Sequence, residues 1–142
     1  MASFALDIEK FVRKTRTRLD LTLQKVTFDL GSQLMTPARA GGASPVDLGF
    51  FINNWNVSLN QPDFSVSDPA NPGANAATLV LESVAASAQF GDTVYITNGT
   101  EYGPALENGH SKQAPNGVVK ITVANYPGVV ARSVAGAKQE RP

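Results

Sequence analysis

The chain has 142 residues, 42% of them hydrophobic, no cysteine, and 12 basic against 12 acidic side chains. That size fits one domain with one core. The lack of cysteine removes disulfides, thiolate nucleophiles and thiolate metal sites together, a zero net charge argues against a bulk nucleic-acid binder, and no run approaches the roughly 20 apolar residues needed to cross a bilayer.

The opening MASFALDIEKF puts acidic residues where an export signal carries a basic region and then an apolar run, so no such signal is read and an intracellular origin is the default. Charge is unevenly placed. Residues 1–40 hold seven basic and four acidic residues, and the remainder five and eight. The first element is basic and the rest acidic, which is either a chance imbalance or a docking polarity between identical subunits.

Residues 3–36 read as one long helix. Neither proline nor glycine occurs from Ser3 to Leu30, Ser3 can cap the start, and Asp7 and Glu9 suit the positive end of the helix dipole. Ile8, Phe11, Val12, Leu19, Leu23, Val26, Leu30 and Leu34 recur at helical steps, with Thr15 and Thr22 interrupting a clean coiled-coil pattern. Pro37 ends the helix at or before Thr36. From Phe4 to Met35 it would run about 48 Å, whereas a compact domain of this size is about 37 Å across. Phe4, Ile8 and Phe11 would then lie beyond their own core and need a neighbour, unless the helix bends near Gly31 or is wrapped by later loops.

Residues 36–49 form a breaker-rich link. FFINNW follows, with Phe51 and Trp55 on one face, and Trp55, Val57 and Leu59 alternate as in a strand. Residues 60–75 read as a surface loop. Residues 76–88 read as a second helix, with a strand over Thr78–Leu81 as the alternative. Gly91-Asp92 makes a turn, TVYIT a strand, and Asn98-Gly99 another turn. Ala105–Glu107 reads as a short helical turn or strand. From Val118 the stripe Val119, Val123, Tyr126, Val130 and Val134 predicts a helix kinked at Pro127, although VVKITV also alternates acceptably as a strand. The expected fold is α+β: a single domain over 1–142 with a long N-terminal helix and a C-terminal helix packed on a small, mainly antiparallel sheet, a flexible loop near 60–75, and a polar tail from about 136. A sheet this small has edges to manage, and pairing one with a neighbouring subunit would also build a ring.

Residues that could carry chemistry are few. His110 is the single histidine, and a zinc site would need it with carboxylates such as Glu107 and Glu101. A His110–Glu107–Ser111 arrangement lacks the context of an activated nucleophile. Asp47, Asp63, Asp68 and Asp92 sit beside or close to proline or glycine, as turn aspartates do, and make no calcium loop. The glycine-containing segments lack the strand, helix and lysine of a phosphate loop. Lys10, Arg13, Lys14, Arg16 and Arg18 form a basic run that is a solvated face, an interface with an acidic neighbour, or a contact for DNA. Trp55 reads as a core anchor where the first helix meets the sheet, and Tyr95, Tyr102 and Tyr126 as core or interface anchors.

Two stretches, SPVDLGFFINNW (44–55) and GDTVYITNGTEYGPALENGHSKQAPNGVV (91–119), with the helix from Val118 to Ala135, resemble the small head–tail joining or tail-completion proteins of long-tailed bacteriophages. Pro45, Val46, Asp47, Gly49 and Trp55 match the first motif of that family. Tyr95, Ile96, Asn98, Tyr102, Glu107, Gly109, Ser111, Lys112, Gln113, Ala114 and Pro115 match the second. Leu48, Asn54 and Asn108 depart from the usual threonine, serine and aromatic. The resemblance implies a non-enzymatic virion subunit without cofactor, assembled in the host cytoplasm into a ring, commonly six-fold. Its partners would be itself and tail-tube or head-connector proteins, with transient contact to DNA in the channel and none to membrane. A tail terminator and a DNA-contacting accessory protein are the alternatives. Candidate interface residues are Phe4, Ile8, Phe11, Arg13, Arg16, Glu107, Lys112 and Gln113; Glu107 and Lys112 either pair across the interface or face solvent. Gly99, Gly109 and Gly117 are expected to serve backbone turns.

Overall fold

The computed structural model describes residues 2–46, 49–66 and 76–139. Its elements are α1 (Ala2–Met35), β1 (Trp55–Leu59), α2 (Ala76–Ser87), β2 (Val94–Asn98), α3 (Gly103–Glu107), α4 (Val119–Ala124) and α5 (Tyr126–Gln139), with short 3-10 turns at Ala38–Ala40 and Ile52–Asn54. This is the expected α+β architecture. Asp47, Asp68, most of the 60–75 loop and residues 140–142 lie outside the described residues.

α1 is continuous for 34 residues, about 51 Å. It begins at Ala2, so Ser3 belongs to its first turn rather than to its cap. Gly31 does not bend it away from the core. A β-carbon there would collide with the side chain of Leu81, so the missing side chain lets α2 approach α1 closely. Beyond Met35 the chain folds back and satisfies the helix's last carbonyls. Ala43 N donates to Gln33 O (2.9 Å), Ser44 N to Thr36 O (3.3 Å), and the Ser44 hydroxyl to Leu34 O.

β1 and β2 form a two-stranded antiparallel sheet with Trp55 opposite Asn98, Val57 opposite Ile96 and Leu59 opposite Val94. Two strands alone bury too little to stand in water. Here α2 covers the Trp55–Val57 side, and the core gathers Leu34, Met35, Phe51, Trp55, Val57, Leu81, Ala114 and Val118. Residues 61–66 strap the other face: the Asn56 amide donates to the carbonyls of Asp63 (2.9 Å) and Ser65 (2.8 Å). The strap crosses so close to Gly99 that a β-carbon there would collide with Phe64 O.

α2 is the helix that lies on the sheet, whereas α4 and α5 lie on α1. α5 runs back along α1, bringing Gly136 beside Lys25. Two further sequence expectations change. Of the residues read as a tail from 136, those up to Gln139 are the last turn of α5, with Ala137 buried. The stripe that predicted the C-terminal helix is also not its buried face: Val119, Val123 and Tyr126 are exposed, and Val118, Thr122, Val129, Ser133 and Ala137 point inward. Proline at the second position of α5 is tolerated, because the first N–H groups of a helix have no partner within it.

Candidate assembly surface

α5 and the 88–92 loop reach α1 only partway along its length. The Gln24 amide donates to Ala88 O (2.9 Å), and the Asp20 carboxylate accepts from Phe90 N (2.7 Å). Ahead of these ties every described side chain from Phe4 to Arg16 is exposed, about 20 Å of helix. Phe4 is 65% exposed, Ile8 48% and Phe11 69%. Their spacing of four and three, continued by Val12, Thr15 and Leu19, puts them on one stripe. At its inner end the stripe meets exposed Phe90 across a groove of about 250 Å³ lined also by Phe11, Val12, Arg16 and Leu19. Lys10, Arg13, Lys14 and Arg16 are exposed as well, and Arg18 is half-buried.

The residues of the second motif serve mainly inside the fold. The Glu107 carboxylate accepts from three successive N–H groups at the start of α4: Val118 (3.0 Å), Val119 (2.7 Å) and Lys120 (2.9 Å). Partial burial raises its pKa, but those hydrogen bonds and the nearby Lys120 charge together hold it below the usual glutamate range. Within the chain Glu107 therefore acts as a helix cap, and His110 is exposed. Gly117 makes the cap possible. Its φ is +89°, and a β-carbon would fall 2.7 Å from Glu107 O and 3.0 Å from its Oε1.

Gln113 clamps the two motif stretches together, its amide donating to Val46 O and accepting from Val46 N, both at 2.9 Å. Pro45, Gly49, Phe50, Tyr102 and Gln113 line a cleft of about 370 Å³ there. Trp55 is the expected core anchor: its Nε1 donates to Ser44 Oγ (2.9 Å) and its ring meets Phe51 edge-on at 5.5 Å. Asn98 donates to Phe51 O (2.8 Å) and accepts from Thr100 N and Oγ1. Tyr95 lies on the sheet opposite Ser58, half-buried. Gly109 turns with φ +84°, close against Pro115 O, and Pro115 and Lys112 are exposed.

Asp63 and Asp92 behave as turn aspartates. Hydrogen bonds from Ser65 lower the Asp63 pKa, and those from Gln89 and Asn60 lower that of Asp92. Among the described residues, no group of three or more His, Asp and Glu side chains is placed to hold a metal ion, and no helix is long and apolar enough to cross a membrane. Sequence reasoning found the overhanging stripe but missed the Glu107 cap and the Gln113 clamp. Neither leaves a local signal, since donor and acceptor lie 11 to 13 residues apart in the cap and 67 in the clamp. The chain matches no family model, no curated protein and no solved structure.

Proposed function

We propose that this chain is a structural subunit of an oligomeric ring at the head–tail junction or tail end of a bacteriophage, completing the tail or joining it to the filled capsid. The observation that carries the self-associating part of this reading is the uncovered start of α1, with Phe4, Ile8 and Phe11 presented together to solvent. An exposed apolar stripe of that kind marks an interaction surface more often than an ordinary helix face does. The phage setting rests on the two motif stretches, which the fold joins through the Gln113 clamp. Contact with DNA is the weaker reading, because phosphate contacts would use the arginines and lysines and leave the phenylalanines unexplained.

Microscopy of particles made without this protein tests the reading. Full heads beside separate tails of normal length are expected for a joining or tail-completion subunit. Tails of uncontrolled length would make the protein a terminator. Particles of normal composition, shape and infectivity would sink the proposal.

A further inference from the structure

The ring reading needs a contact between copies, and the surface supplies two unlike halves for one. Residues 40–111 contain seven carboxylates and neither lysine nor arginine. The described part of this stretch builds the sheet, its strap and α2, and carries the carboxylates of Asp63, Glu82, Asp92 and Glu101 with no basic side chain beside them in sequence. Apolar side chains are exposed within it: Phe64 is 63% exposed, and Val66 follows on the same strap. Asp63 precedes Phe64, and exposed Glu101 lies two residues past Gly99, where the strap crosses. Asp63 is ionised at neutral pH as any exposed aspartate is, and the hydrogen bonds from Ser65 lower its pKa further. The start of α1 is the opposite in charge and alike in apolarity. Residues 1–18 hold five basic and two acidic residues, around the Phe4–Ile8–Phe11 stripe.

We infer that the first turns of α1 in one copy dock on the strapped, acidic face of the sheet in a second copy, around Phe64 and Glu101. Charge decides between this and pairing two α1 arms. Arm against arm sets like charge on like, which is unfavourable, whereas arm against sheet face brings opposite charges to an apolar contact. The two surfaces differ, so the contact is heterologous. Repeated, such a contact closes into a ring if the rotation per copy allows and otherwise grows as a filament. A strap held on the sheet by Asn56 gives the arm a fixed landing surface instead of a loop that must order first. The inference rests on the ring reading for its biological setting, but the contact itself needs only this chain.

The test uses the full-length protein in sedimentation and native mass measurements at micromolar to millimolar concentration. An arm variant carries Phe4→Asp and Phe11→Asp, and a face variant carries Phe64→Lys and Glu101→Lys. The wild type is expected to self-associate. Each variant alone should associate at least about tenfold more weakly. Mixing the two should restore an equimolar complex, since one still has an intact face and the other an intact arm, and that recovery also shows that both are folded. A face variant that still associates like the wild type would mean that arms pair with each other, and the inference would be wrong. Loss of association with Val123→Asp but not with the face variant would move the contact to α4 and overturn it too. Salt-sensitive binding of the arm to duplex DNA, with no self-association, would also overturn it. A wild type that stays monomeric throughout defeats this contact while leaving the particle experiment to judge the ring reading by itself.

Discussion

The two halves of α1 have the same backbone and opposite circumstances. From residue 17 onward the helix is half-buried or buried at nearly every position, roofed by α2, α4 and α5. Before that it is bare, although its side chains are no less apolar. Hydrophobic content therefore does not decide which half is core. What decides it is how far the rest of the chain reaches, and the ties from Asp20 and Gln24 mark that limit. The contrast predicts that substitutions in the covered half and its roof act on stability, and substitutions in the bare half on association.

The largest effect belongs to the roof. Leu81 is fully buried and fills the space left by Gly31. Leu81→Ala should cost about 4 kcal/mol, toward the upper end for such changes, because the facing glycine has no side chain that could relax into the cavity. Urea unfolding followed by circular dichroism measures it. A loss under about 1 kcal/mol would mean that α2 is not held on α1 as described.

A smaller effect is expected at the Glu107 cap. Glu107→Gln should destabilise by about 1 kcal/mol at neutral pH, as the loss of a helix cap does. The pH dependence has a definite sign. The folded-state pKa is lowered, so the stabilisation is complete above the unfolded-state value and disappears as pH falls through the folded one. The gap between wild type and variant should therefore be constant around neutrality and close in acid. A gap that widens in acid would contradict the cap.

Much of this fold could be read from the residues, and the failures have physical causes. The long helix, the α2 segment, both strands and the break before Pro127 follow from hydrophobic period and from proline, which act locally. Which face of the C-terminal helix turns inward does not. Its valines make an obvious stripe, yet close packing on α1 selects the face carrying Ser133 and Ala137 beside Val129, since small side chains let two helices approach. The same effect hid the last turn of α5, which looks like a polar tail. Of the candidate surface, the overhang of Phe4, Ile8 and Phe11 was legible from helix length alone. The capping role of Glu107 is not legible in sequence, because its partners are backbone N–H groups that the fold brings to it.

The smallest stability effect, and the one that separates the two halves most cleanly, belongs to Phe11. It is 69% exposed on the bare half, and glutamine is at least as good a helix former. Phe11→Gln should leave the unfolding free energy within about 0.5 kcal/mol of the wild type, as surface changes do. The comparison must be made where the protein is dissociated, because any self-association would add stability that the variant lacks. Under those conditions a loss of about 2 kcal/mol or more would put Phe11 in the core of its own subunit. The bare half would then be covered from within, and no reason would remain to give it a partner.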